Sequence, residues 1–284
     1  MPIDPQLLLG AQLPSDEFAW DEDRIILYHL GIGAGAQPVD PEELRYVYEG
    51  SLKVLPTFAT IPPFAVTINV GALPGMDVNP AMILHGEQMI SIHRPLPVRG
   101  RVTSEGRVVG VHDKGTGALV EVEVVSSNGD GPLFTNRSGI FVRGEGGFGG
   151  EAPSSGQSWP QIPPRDPDAV SYSATLPQQA LLYRLSGDKN PLHADPAFAA
   201  FAGFDRPILH GLATFGVVCK AVVDSLLGGD VGAVAGFGGR FSGVVFPGEI
   251  IATSMWREND GIVINAAVVD RDAPVLSPAL LVLA

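Results

Sequence analysis

The sequence predicts an α+β fold built twice in one chain, each copy a long helix wrapped by an antiparallel sheet. Three observations predict it. Four landmarks recur in step along the 284 residues. Alternating apolar and polar runs follow each recurrence, as half-exposed antiparallel strands require. One stretch, 209–227, is apolar nearly all round, with Lys220 and Asp224 the exceptions, which marks a buried helix. A helix against a sheet is a stable two-layer arrangement, and 45% hydrophobic residues can fill its core. The 35 Gly and 25 Pro favour turns and short elements over a helical bundle.

The landmarks run in order. Tyr28-His29-Leu30 matches Tyr183-Arg184-Leu185, and twelve residues after each Tyr comes Asp40-Pro41 or Asp195-Pro196. Asp suits a helix N-cap and Pro the first helical position, so each pair opens a short helix. Gly203 suits the end of the second one. Next come the helix-like starts Leu55-Pro56-Thr57-Phe58-Ala59-Thr60 and Leu209-His210-Gly211-Leu212-Ala213-Thr214. In the first copy the following stretch, 54–75, is interrupted by Pro56, Pro62, Pro63 and Pro74 and hints at an irregular helix. Strands running into Pro-rich turns are expected at 90–100 and 239–248. Further strands are expected at 101–111, 117–127 and 133–143, and at 250–257, 261–270 and 276–284. The literal repeat Ile-Leu-His-Gly, at 83–86 and 208–211, breaks this register and is a decoy. The domains read as 1–143 and 170–284, with a Gly-, Pro- and Ser-rich linker at 144–169. Gly146-Gly147-Phe148-Gly149-Gly150 belongs to that linker, because it lacks the spacing and the following helix of a nucleotide loop.

Composition removes several function classes. A net charge of −13 argues against a nucleic-acid partner. The single cysteine, Cys219, excludes an internal disulfide framework and a multi-cysteine metal site, and it reads as an inert buried thiol. Six scattered histidines make no zinc pattern, so no metal is expected. The prolines forbid a continuous membrane helix over 54–76. The first residues lack a basic leader region and the last are not Ser-Lys-Leu, so the expected location is cytoplasmic.

The dense polar constellation is Tyr183-Arg184-Leu185-Ser186-Gly187-Asp188-Lys189-Asn190-Pro191-Leu192-His193. Gly187 should stop a helix and Pro191 stiffens the loop beyond it. A carboxylate, an amide and an imidazole within six residues can converge on one water, which is an acid/base arrangement. The bland alternative is a polar turn held by local hydrogen bonds. The repeat favours function. By the same register Asp188, Asn190 and His193 stand opposite Gly33, Gly35 and Pro38, so one copy carries the polar groups and the other does not.

Tyr-x-Leu-Ser-Gly-Asp-x-Asn-Pro-Leu-His resembles the signature of the MaoC-like (R)-specific 2-enoyl-CoA hydratases. The whole chain resembles their double-hotdog type, as in the hydratase part of peroxisomal multifunctional enzyme type 2. The resemblance implies a double hotdog paired within one chain, with a catalytic C-terminal half and an N-terminal half that accommodates the acyl chain. It implies a cofactor-free lyase that adds water reversibly to trans-2-enoyl-CoA, giving (3R)-3-hydroxyacyl-CoA. Asp188 and His193 would hold the water, Asn190 would orient it or the pair, and the Gly211 amide would bind the thioester oxygen at a helix start. His85, Gly86, Lys114 and Phe241 match positions that contact the CoA ester. From the residues alone, Lys114 equally reads as a solvated turn, Phe241 as core and His210 as a helix-start residue. A homodimer is compatible with the resemblance, although two hotdogs can pair within one chain. A hotdog thioesterase and a non-catalytic acyl-CoA binder are the rival readings.

Overall fold

Val120, Val122 and Val124 have no exposed surface, and they mark the inner face of one strand in a ten-stranded antiparallel sheet. The computed structural model describes residues 3–149, 159–259 and 261–284. The first half contains α1 (Pro5–Leu8), β1 (Gln12–Trp20), α2 (Glu22–Gly31), α3 (Pro41–Leu44), α4 (Phe64–Ile68), β2 (Ile83–Ile92), β3 (Gly100–Asp113), β4 (Gly117–Asn128) and β5 (Gly131–Arg143). The second contains β6 (Ala169–Ala174), α5 (Gln179–Tyr183), α6 (Pro196–Phe201), α7 (Gly211–Leu226), β7 (Val234–Phe241), β8 (Ile250–Glu258), β9 (Gly261–Val268) and β10 (Ala273–Leu283).

The strand order is β1-β3-β4-β5-β2-β7-β10-β9-β8-β6. Read inward from either edge, the two halves have the same connectivity. They meet where β2 pairs antiparallel with β7. Met89 pairs there with Gly238. These are the two strands, expected at 90–100 and 239–248, that the sequence matched as counterparts in the two copies. The matched strands of the two copies therefore meet at the centre of the sheet, about an internal twofold. The landmarks agree: Tyr28 and Tyr183 are both buried with rings 6.1 Å apart, and Asp40 and Asp195 each cap a short helix. In the literal repeat, Ile83–Gly86 lies in a strand while Ile208–Gly211 leads into a helix, so it is indeed a decoy.

Four features differ from expectation. The two sheets are joined edge to edge as one, and only the second half contains a long helix. In the first half the equivalent stretch is a 3-10 turn (Pro56–Thr60), the five-residue α4 and another 3-10 turn (Asn69–Ala72). Proline lacks the N–H and its ring crowds the preceding turn, so no continuous helix forms across Pro62-Pro63. β2 and β7 also begin and end earlier than expected, and Pro95 and Pro97, which cannot donate to a ladder, lie just beyond the end of β2. The edge strands β1 and β6 were not expected. β1 buries only Leu13 and Trp20 and its register shifts at Pro14, so its alternation is faint.

α7 is buried from Leu212 to Val223 apart from Lys220, and its two charged residues, Lys220 and Asp224, pair with each other. Lys220 Nζ donates to Asp224 Oδ2 and to Glu43 Oε2, both at 2.8 Å, and Tyr46 Oη donates to Asp224 Oδ1 at 2.6 Å. Glu43 and Tyr46 belong to the first half, so the charges clasp the halves together. Among the described residues no helix is long and apolar enough to cross a membrane.

Candidate active site

The polar loop folds as a chain of local bonds. α5 and a 3-10 turn (Arg184–Ser186) end at Gly187, whose φ of +142° favours glycine. Asp188 Oδ1 accepts from Asn190 N at 3.0 Å, and Asn190 Oδ1 accepts from Leu192 N at 3.0 Å. Pro191 opens the turn that carries His193. The bland reading of the loop is therefore true of one oxygen on each residue. Asp188 keeps its second oxygen, Oδ2, for His193 Nε2, 3.9 Å away.

His193 is buried and its Nδ1 donates to Ile208 O at 2.9 Å. A carbonyl only accepts, so Nδ1 carries the proton and Nε2 is a bare base facing the carboxylate. Burial pushes its pKa down, against the pull of Asp188 and the Ile208 carbonyl. Behind it lies His210, with ring centroids 3.6 Å apart and planes 27° apart. His210 Nε2 donates to Asp188 O at 3.2 Å, and burial with the neighbouring His193 lowers its pKa to about 2. Asp188, His193 and His210 offer ligand atoms within 4.8 Å of one another. Each ring already spends one nitrogen on a backbone carbonyl, which leaves His193 Nε2 facing Asp188 as a proton acceptor.

These groups open onto a cavity of about 680 Å³ lined by both halves. Asp188, Asn190, His193, Gly211, His85 and Phe241 all lie on its wall. Gly211 is the first residue of α7. Ala213 N and Thr214 N both donate to His210 O, which leaves the Gly211 and Leu212 amides ahead of the helical ladder. A Cβ on Gly211 would meet the Phe241 ring at 3.3 Å, and that ring packs edge-on against His85 at 5.0 Å. The irregular first-half segment supplies apolar wall, including Pro63, Phe64, Ile68 and Val70.

Two family models match this layout: the MFE-2 hydratase 2 N-terminal domain over residues 18–144 and the MaoC like domain over residues 159–277. Enoyl-CoA hydratase ChsH3 of Mycobacterium tuberculosis is 45% identical, with 99% of each chain covered. Peroxisomal enoyl-CoA hydratase 2 of Arabidopsis thaliana is 42% identical over 95% of this chain and 93% of its own. The chain belongs to the MaoC-like enoyl-CoA hydratase 2 family. A solved MaoC-like dehydratase from Phytophthora capsici superimposes with a TM-score of 0.88 at 33% identity, covering 99% of this chain and 98% of that one.

Within this MaoC-like frame, Gly86 and Lys114 stand apart from the other expected residues. Neither is on the cavity wall. Gly86 sits at a register shift in β2, with Gly139 O 3.3 Å from where its Cβ would be. Lys114 is exposed in the β3–β4 turn. That turn is fastened by Asp113, which accepts from Gly115 N, Gly147 N and Gly149 N at 2.7–2.9 Å. The start of the Gly-rich run is thus tied to the sheet, and a Cβ on Gly146 would lie 2.3 Å from Gly115 O. The stretch 150–158 of the expected linker lies outside the described residues. Cys219 is buried, and burial pushes its thiol pKa up.

Sequence reasoning missed His210 as part of the site and missed Gln88, Asn136 and Ser138 entirely. All three lie on the cavity wall, nearly unexposed. A signal existed in β5. Asn136 and Ser138 share the inward register of β5 with Phe134, Ile140 and Val142, where polar side chains need a reason.

Proposed function

We propose that this chain is a hydro-lyase that reversibly adds water to trans-2-enoyl-CoA to give (3R)-3-hydroxyacyl-CoA, in fatty acyl-CoA metabolism. The observation that carries the proposal is the Asp188 Oδ2–His193 Nε2 pair. At 3.9 Å the two atoms are too far apart to bond each other, yet one water at hydrogen-bond distance can touch both. That water attacks C3 of the enoyl group, and its O–H bond breaks as the C–O bond forms. The pair takes up one water proton and a proton is returned to C2. Negative charge gathers on the thioester oxygen in between, where the free Gly211 amide and the α7 dipole stabilise it. Acid/base help is worth roughly 10²–10⁴-fold and an oxyanion donor roughly 10²–10³-fold. The thioester carbonyl is itself the electron sink, so the proposed chemistry needs no cofactor. Asn190, with its carbonyl tied to Leu192, acts by fixing the loop that presents Asp188.

The asymmetry between halves supports a division of labour. Residues 170–284 would carry the chemistry, 144–169 would link, and 1–143 would take the acyl tail where prolines break its helix. His85 and Phe241 would hold the thioester arm, with Gly86 allowing close backbone approach and Lys114 meeting the CoA phosphates outside the cavity. An acidic chain with one buried thiol suits a reducing compartment, and we take the location as cytoplasmic. Both halves of one chain line the cavity, so a homodimer would join two such sites. Incubation with crotonyl-CoA should remove the enoyl thioester absorbance without releasing free thiol. Thiol release would make the protein a thioesterase instead, and binding without turnover would make it a carrier.

A further inference from the structure

The polar ledge in the first half has a fixed direction. Asn136 Nδ2 donates to Ala59 O at 2.9 Å. A backbone carbonyl only accepts, so the Asn136 amide has one orientation and its Oδ1 must be the acceptor toward Gln88 Nε2, at 2.8 Å. Gln88 Nε2 also reaches Met89 O at 3.4 Å. That orientation turns Gln88 Oε1 the other way, where it accepts from Ser138 Oγ at 2.8 Å and lies 3.0 Å from His85 Nε2. An amide oxygen cannot donate, so His85 Nε2 carries the hydrogen. Gln88, Asn136 and Ser138 are 2%, 2% and 3% exposed, so water cannot easily substitute in the chain. Reversing any one amide would set two donors, or two acceptors, face to face in a buried place.

We infer that Asn136, Gln88 and Ser138 are positioning residues that hold His85 as its neutral Nε2–H form, making Nδ1 the acceptor this cavity-wall ring offers to a neutral donor of the substrate, such as an amide N–H of the pantetheine arm. A neutral acceptor gives a phosphate nothing, so His85 meets the amide arm of CoA and not its phosphates. Burial supports the neutral form by pushing the His85 pKa down to about 4, against the Gln88 and Glu87 contacts that raise it. The Phe241 ring packs edge-on against the imidazole, with centroids 5.0 Å apart. The identity of the donor rests on the enoyl-CoA reading; the proton position does not.

The test uses the full chain labelled with 15N-histidine. Long-range proton–nitrogen spectra at pH 7, with His85 assigned by its absence in His85→Gln, should show Nε2 protonated and Nδ1 bare. An Nδ1–H form or an imidazolium in the native protein overturns the inference, with no dependence on how any Gln88 or Asn136 variant folds. Gln88→Glu then places a carboxylate beside Nε2. His85 should become doubly protonated at pH 7, and KM for crotonyl-CoA should rise about tenfold, the size of one lost hydrogen bond, with kcat changed less. A charged His85 with unchanged KM would overturn the role of Nδ1 in binding. If the native chain shows the expected proton but hydrates nothing, it is the enoyl-CoA reading that fails.

Discussion

His193 and His210 stack with ring centroids 3.6 Å apart, and each donates one ring N–H to a backbone carbonyl. Neither ring is set up to be charged at neutral pH. A second proton on His193 would lie in a buried stack, offset in part by Asp188 and the Ile208 carbonyl. The pKa of His193 is lowered from the ordinary 6.5, with burial the largest cause. The neutral base therefore survives below the usual imidazole range. We expect the acid limb of kcat/KM for hydration to fall below pH 6.5. An acid limb at or above that value would show that His193 titrates as an exposed imidazole does.

Stability should respond to acid in the same sense. Burial lowers the folded pKa of His193, and those of His29 and His85 to about 4 and of His210 to about 2. Unfolded, each has an ordinary value near 6.5. Between the two values the unfolded chain binds more protons, so stability is full above pH 6.5 and is lost as pH falls toward the folded values. Each histidine contributes up to about 1.4 kcal/mol per pH unit across its window. Urea unfolding at pH 7.5 and pH 5 should differ by several kcal/mol, whereas equal stabilities would mean that these rings are protonated or solvated in the fold.

The clasp between halves gives a third expectation. Lys220→Met leaves Glu43 and Asp224 without their shared cation in a site where Lys220 and Glu43 are only 15% and 14% exposed. The loss should be about 2–4 kcal/mol, below that of a fully buried pair because Asp224 is 36% exposed. The urea midpoint reads it. A loss under about 0.5 kcal/mol, within the range of exposed pairs, would show that the clasp adds nothing.

The broken helix predicts substrate range. Where the second half has the continuous α7, the first half has the broken stretch whose Pro63, Phe64, Ile68 and Val70 line the cavity. Turnover of C10 or C16 enoyl-CoA should match or exceed that of C4. Activity confined to C4 would remove the acyl-tail role of residues 54–75.

Much of this was legible in the sequence because it is local. Asp40 and Asp195 signal helix caps, Pro62-Pro63 signals a break, and Gly187 with Pro191 signals a stiff loop. The duplication also showed in spacing alone, as landmarks that keep step to within a few residues. The hidden features depend on contacts between distant residues. His210 looks like a helix start until the stack with His193 is seen, and Gln88 looks like surface until β2 and β5 pair. β1 and β6 were missed because edge strands bury little and so alternate weakly. Lys114 matched by motif, yet the turn holds it outside the cavity.

The most direct measurement is hydration of crotonyl-CoA by the native chain, Asp188→Asn and His193→Ala, with circular dichroism and thermal melts on all three. The native chain should turn over substrate, and each variant should lose at least about 10²-fold in kcat while remaining folded. Folded variants that keep native kcat would contradict the assignment of the water-activating pair.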